Sequence, residues 1–203
     1  GWCQRSAAEQ GPPQEVIDQL IGLYNQGQSQ AIISQTHELT AQYPRSFILW
    51  NILGVANKSL GKIAEATNAF MKVTQYNPHY ADGYSNLGVA LGDQGQLDEA
   101  IAAYKKAIQL KPGFFEAYNN MGTALRRKGS IEECIKSYNK AIALKPDYIE
   151  AYNNLGLAMA KSGKLEEAIE SYNKALAIKS DYAEAYLNMG VALADQGKLE
   201  EAI

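Results

Sequence analysis

Six glycines recur at every 34th position along this chain of 203 residues. They are Gly27, Gly61, Gly95, Gly129, Gly163 and Gly197. An unbroken spacing of this kind indicates one structural unit copied head to tail, with the same backbone turn in each copy. Such an array has no single core, so a binding site is expected on a surface that several copies build together.

Prolines set the predicted boundaries, because proline cannot continue a helix and four of them, at 44, 78, 112 and 146, keep the same period as the glycines. We expect an N-terminal tail or expression remnant, a degenerate first repeat or cap, four full repeats and a partial sixth. The corresponding ranges are 1–12, 13–46, 47–80, 81–114, 115–148, 149–182 and 183–203.

Each repeat is predicted to contain two helices. In the repeat 81–114 an apolar stripe at helical spacing runs over 81–94, and a second one runs over 97–110. Gly95 separates them, and glycine commonly ends a helix in a left-handed conformation. Mid-helix glycines at 54, 88, 122, 156 and 190 indicate close helix packing, and we expect small second-helix residues opposite them. Those residues are Ala66, Ala100, Cys134, Ala168 and Ala202.

The order aromatic, Leu-Gly, Ala, aromatic, Ala, Pro within one period resembles the tetratricopeptide repeat (TPR) signature. In the repeat 81–114 it is carried by Tyr84, Leu87, Gly88, Ala100, Tyr104, Ala107 and Pro112. The resemblance covers about 13–203, and 13–46 departs most from the pattern. It implies an all-α fold, a right-handed α-α superhelix (solenoid) of helix-turn-helix repeats, in which the first helix of each pair lines a concave groove.

Composition argues against several function classes. The formal net charge of −3 gives no basic footprint for nucleic acid or anionic lipid. No apolar run approaches a membrane span, and the two cysteines, Cys3 and Cys134, suggest a reduced, cytoplasmic protein. His37 and His79 have no partner at catalytic or metal-ligand spacing, so we predict no enzyme activity, no cofactor and no metal. We interpret Cys134 as a small buried hydrophobe.

One polar column repeats outside the framework positions. Asparagines occupy the same first-helix position in four repeats although asparagine is a poor mid-helix residue: Asn86, Asn120, Asn154 and Asn188. The column resembles the asparagine ladder of the repeat domain of O-linked N-acetylglucosamine transferases. On that geometry its amides would bind the backbone of an extended peptide. They could instead, or also, bond neighbouring helices and fix repeat stacking.

The other predicted groove residues are variable. Arg126 and Arg127 are a local cationic pair that could take a partner's carboxylate, although a chaperone-type carboxylate clamp is disfavoured by Asp82 and Asp93. The remaining residues of the predicted peptide-binding site are Asn51, Asn119, Thr123, Asn153 and Lys161.

These features predict a non-enzymatic scaffold that binds an extended segment of a partner protein. One alternative is the substrate-recruiting repeat region of a larger glycosyltransferase- or sulfotransferase-type enzyme, as in similar bacterial repeat proteins. Another is a homo-oligomer that assembles through 183–203, where the apolar face of the first helix lacks a complete partner.

Overall fold

The computed structural model describes residues 11–197. Over this range all regular elements are α-helices. We call the first helix of each repeat the A helix and the second the B helix. The eleven helices found within 11–197 are α1 (Gln14–Asn25), α2 (Ser29–Gln42), α3 (Phe47–Ser59), α4 (Ile63–Tyr76), α5 (Ala81–Asp93), α6 (Leu97–Leu110), α7 (Phe115–Lys128), α8 (Ile131–Leu144), α9 (Ile149–Lys161), α10 (Leu165–Ile178) and α11 (Ala183–Asp195).

The helices divide into two compact units. The N-terminal unit, 1–110, contains α1–α6, and the C-terminal unit, 111–203, contains α7–α11. Inside each unit an A helix packs against the following B helix, and that B helix packs against the next A helix. Successive A helices also touch directly, as α7 touches α9 and α9 touches α11. The A helices of one unit therefore lie side by side and share a face.

The repeated glycine makes the turn between the A and B helices. Gly95 has φ +79°, which is the left-handed region that a side chain disfavours. The Gly95 and Gln96 amides donate to the carbonyls of Gly92 and Leu91, each at 3.0 Å, so two carbonyls at the end of α5 are satisfied. The glycine thus ends one helix and lets the next begin within a few residues.

The atoms nearest to the mid-helix glycines belong to aromatic rings of the B helices. A Cβ added to Gly122 would lie 2.6 Å from Cε1 of Tyr138, and one added to Gly88 would lie 2.7 Å from the same atom of Tyr104. Phe70 and Tyr172 oppose Gly54 and Gly156 in the same way. The prediction of a close contact is confirmed, and the ring of the B helix occupies the space that a side chain at the glycine would need.

Candidate functional site

The A-helix face carries two adjacent polar columns. We call Asn86, Asn120, Asn154 and Asn188 the outer column, and the residues Asn51, Asn119 and Asn153 the inner column. Three outer asparagines each donate Nδ2 to the Oδ1 of an inner asparagine on the preceding A helix. The donor–acceptor pairs are Asn86 to Asn51 at 3.1 Å, Asn154 to Asn119 at 3.0 Å, and Asn188 to Asn153 at 3.0 Å.

The two columns differ in their access to a ligand. Asn119 and Asn153 are 6% and 1% exposed, so they lie beneath the surface. Asn153 also donates to Oε1 of Glu184 at 3.0 Å. The outer asparagines are half-buried, and within the described part of each unit the Oδ1 atoms of Asn86, Asn154 and Asn188 accept no hydrogen bond. The amides of Asn86, Asn154 and Asn188 therefore join adjacent repeats through one proton and keep an acceptor oxygen available, whereas Oδ1 of Asn120 accepts from Nδ2 of Asn119 at 3.5 Å.

Thr123 and Arg126 converge on a buried ring at the end of α7. The Thr123 hydroxyl lies 3.1 Å from the hydroxyl of Tyr138, a ring with no exposed surface. Burial raises the pKa of Tyr138, while hydrogen bonds from Thr123 and Arg126 act in the opposite direction. Arg126 is half-buried, whereas Arg127 and Lys161 are exposed. Thr123 is thus partly occupied by an internal bond, and Arg126 is held against the B helix.

Cys134 lies in the same region and is fully buried. Burial raises the pKa of its thiol, and the nearby charges of Arg126 and Lys161 only partly oppose that shift. A thiol with a raised pKa stays protonated at neutral pH and is a weak nucleophile. This environment agrees with the interpretation of Cys134 as a small core residue.

The sequence interpretation missed an apolar pocket on the A-helix face of the N-terminal unit. It has a volume of about 130 Å³ and lies between α1 and α3. Tyr24 and Ile21 form its rim and are 52% and 46% exposed. A signal was present, since Tyr24 is outside the positions at which tyrosine repeats. The pocket is lined by Leu20, Ile21, Tyr24, Asn51, Ile52 and Val55.

The A helix α11 has an uncovered apolar face. Tyr186, Leu187 and Val191 are 51%, 69% and 56% exposed. Leu187 occupies the inner-column position, where Asn153 of the preceding repeat is 1% exposed. Residues 198–203, which belong to the partial repeat, lie outside the described range. Among the described residues, no helix has the length and hydropathy that a membrane span requires.

Paired helices repeated in register define a helical-repeat protein, a class whose members bind partners on stacked helices. Sequence profiles identify the family of helical-repeat proteins. A TPR repeat profile matches 90–127, 122–163 and 160–197, and tetratricopeptide repeat profiles match 69–102 and 48–80. The chain belongs to the tetratricopeptide repeat family.

Solved structures support the same fold. A crystal structure of MamA is 30% identical over 77% of this chain and 85% of its own, with a TM-score of 0.68. YrrB, described as a TPR protein with an unusual peptide-binding site, is 20% identical over 83% of this chain and 87% of its own, with a TM-score of 0.70. TTC0263, a thermophilic TPR protein of Thermus thermophilus, is 23% identical over 89% of this chain and 98% of its own, again with a TM-score of 0.70.

The likeness to YrrB and TTC0263 is a likeness of fold alone. Together the profiles and structures confirm the predicted all-α repeat-superhelix class. None of the curated proteins matches this sequence.

Proposed function

We propose that this chain is a protein-interaction scaffold that binds an extended polypeptide along the outer asparagines of its C-terminal unit, Asn120, Asn154 and Asn188. The observation that carries the proposal is that three of the outer side-chain amides use a donor proton but leave the acceptor oxygen without a bond in the described part of the chain. Asn86, Asn154 and Asn188 each spend one Nδ2 proton on the inner column, while their Oδ1 atoms accept no bond within the described part of their units. A half-buried acceptor that faces a groove is suited to a backbone N–H of a ligand.

The spacing of the column fits an extended ligand. Neighbouring packed helices lie roughly 8–10 Å apart, and a polyproline II segment advances about 9 Å in three residues. Every third backbone N–H of such a segment would therefore reach successive outer amides. Recognition through the backbone does not depend on side-chain identity, so the cations at Arg126 and Lys161 would supply selectivity.

The test separates binding from stacking by comparing the two members of one hydrogen bond. Both Asn154→Ala and Asn119→Ala remove the Asn154–Asn119 bond, but only Asn154→Ala removes an amide from the groove. The probe is a peptide selected from a random library on the wild-type chain and labelled with a fluorophore. Its Kd is measured by fluorescence anisotropy, and the melting temperature by circular dichroism.

We expect both variants to lower the melting temperature by similar amounts. Asn154→Ala should raise the Kd by about three- to tenfold, the worth of one hydrogen bond, and Asn120→Ala with Asn154→Ala should raise it further. Asn119→Ala should leave the Kd within about twofold. Equal losses of binding in Asn119→Ala and Asn154→Ala, or failure of the library to enrich any peptide, would assign the column to stacking alone.

A second candidate, self-association through 183–203, is favoured by the uncovered face of α11. Leu187 is 69% exposed at a position that is buried in the two preceding repeats, where it is Asn119 and Asn153. Light scattering should show a mass that rises with concentration for the wild type and stays monomeric for Leu187→Asn, which installs the residue of the preceding repeat. A monomer at all concentrations contradicts this candidate. Recruitment of substrates for a larger transferase stays a prediction.

A further inference from the structure

The seam between α7 and α9 brings two cations together. The Asn154–Asn119 bond fixes the register of these helices, because it joins residues 35 apart at 3.0 Å. Arg126 lies seven residues after Asn119 on α7, and Lys161 lies seven residues after Asn154 on α9, so these two are also 35 residues apart. Seven residues are close to two helical turns, so they return to nearly the same face. Arg126 and Lys161 therefore face the same seam, about 10 Å beyond the asparagine pair.

The N-terminal unit has the same seam with a different pair. There Asn86 donates to Asn51, and seven residues further along are Lys58 and Asp93. Lys58 Nζ lies 4.0 Å from Asp93 Oδ2, so this seam supplies its own carboxylate to its cation. The C-terminal unit has Lys161 where the N-terminal unit has Asp93. Its seam consequently holds two positive charges and lacks the negative one.

Among the described residues, the surroundings of Arg126 also lack a carboxylate partner. Its Nε is buried and has no hydrogen-bond partner. Within 111–197 no carboxylate forms an ion pair with Arg126, and its side-chain partner there is the hydroxyl of Tyr138. The charges of Arg126 and Lys161 both act on the thiol of Cys134, which agrees with their proximity. A half-buried guanidinium that has no carboxylate partner and lies beside a second cation is an arrangement that an anion completes.

We propose that Arg126 and Lys161 bind a carboxylate brought by the partner, at the place that the Asp93 carboxylate occupies in the N-terminal seam. The inference rests on the proposed function for the origin of that carboxylate, and it names the chemistry that the partner must carry. The guanidinium would donate through its Nη groups to the carboxylate oxygens, since Nε is buried, while Lys161 adds a charge from the solvent side. The group is either an Asp or Glu side chain or a free C-terminus.

The first experiment uses acetate as the probe, so it does not depend on the groove amides. The protein is labelled with ¹⁵N, and the Nε–H resonance of Arg126 is followed while sodium acetate replaces sodium chloride at constant ionic strength. We expect a saturable shift in the wild type. Lys161→Asp, which restores an internal carboxylate as in the Lys58–Asp93 pair, should raise the acetate Kd by about tenfold or more. Arg126→Gln removes the resonance that is followed and thereby assigns it.

Lys140→Asp is the matched control. It makes the same change of charge on the exposed surface of α8 and should leave the acetate Kd within about twofold. Circular dichroism in the far ultraviolet verifies that each variant is folded, and Lys161 is exposed, so its replacement leaves the core intact. Absence of a saturable shift in the wild type overturns the inference. Equal weakening by Lys161→Asp and Lys140→Asp also overturns it, because the effect would then be one of net charge.

The second experiment distinguishes the two carboxylate sources with short glycine-rich peptides. One has a central Glu and an amidated C-terminus, and the other has no Glu and a free C-terminus. The peptide that shows a Lys161→Asp-sensitive Kd identifies the source, and inorganic phosphate serves as a competitor. Preferential binding of phosphate overturns the carboxylate assignment. Acetate binding together with failure of all peptide binding would reject the proposed function and leave this inference standing.

Discussion

Replacement of Gly122 by alanine tests the packing between A and B helices. Two effects oppose each other in Gly122→Ala. Alanine in a helix interior is favoured over glycine by about 1 kcal/mol. The new Cβ, however, would lie 2.6 Å from Cε1, 2.8 Å from Cδ1 and 3.0 Å from Cζ of Tyr138. Carbon atoms in contact prefer about 3.5–4.0 Å, so the ring must move by roughly 1 Å.

The Tyr138 ring has little room for that movement. It is 0% exposed, and its hydroxyl is held 3.1 Å from Thr123. Overpacking of this kind costs about 1–3 kcal/mol, which exceeds the gain in helix propensity. We therefore expect Gly122→Ala to destabilise the chain by about 1 kcal/mol and to lower the melting temperature by about 2–4 °C. Circular dichroism during thermal and urea unfolding measures both quantities.

Gly22 provides the matched control. It lies inside α1, and a Cβ added there meets nothing within 4 Å. Gly22→Ala should therefore stabilise the chain by about 0.5–1 kcal/mol, through propensity alone. A Tyr138→Ala background removes the ring, so Gly122→Ala should be stabilising there as well. If Gly122→Ala and Gly22→Ala raise stability equally in the wild-type background, the ring contact does not exclude a side chain and the packing argument fails.

Three further predictions concern the turns, the core and alkaline pH. Gly95→Ala should lower stability by about 1 kcal/mol through backbone strain alone, since φ is +79° and no atom lies within 4 Å; a neutral result in urea titrations contradicts that cause. Asn57→Leu should raise the melting temperature, because Asn57 is 5% exposed at a position that is leucine in the next two repeats, and its amide donates only to its own helix; a lower melting temperature would indicate that the amide is needed. Burial raises the pKa of Tyr172 to about 12 against a partial opposing effect of Arg126; since the folded pKa lies above the unfolded value of 10.0, the stability contributed by the neutral phenol is intact below pH 10 and is lost progressively as the pH rises towards 12. The ultraviolet absorbance of phenolate is titrated in the wild type and in Tyr172→Phe, and the difference between the two curves reports Tyr172. We expect no phenolate signal in that difference below about pH 11, and a transition near pH 10 contradicts the burial effect.

The fold could be predicted from the sequence because every local signal is repeated. The constant period, the turn glycine and the proline fix helix ends, and the prediction of 97–110 coincides with α6 (Leu97–Leu110). The prediction of 81–94 overran α5 by one residue, since Gln94 already belongs to the turn before Gly95. The aromatic contact of the mid-helix glycines was not predicted, because spacing along one helix does not identify the atoms that cross from another.

The candidate site could be predicted only in part. The outer asparagines were visible because they repeat, but their hydrogen bonds join residues 35 apart, one more than the repeat length. A contact across two helices leaves no period of its own in the sequence. The absence of a carboxylate between Arg126 and Lys161 was recognised only by comparison with the Lys58–Asp93 ion pair. The pocket at Tyr24 lies in the most divergent repeat, where the pattern carries least information.

The offset between paired amides, one residue longer than a repeat, has a consequence for how such a chain can change length. The inner asparagine of one seam and the outer asparagine of the next, Asn119 and Asn188, are separated by two repeat lengths plus one residue. Removal of one whole repeat between them restores the original offset, so the shortened chain again pairs amide with amide. Whole repeats can therefore be gained or lost at these amide-paired contacts, because each inner asparagine can pair with any outer asparagine. The first repeat has apolar residues instead, since Ile17 belongs to a hydrophobic cluster against which Ile52 packs, so it cannot pair amide with amide.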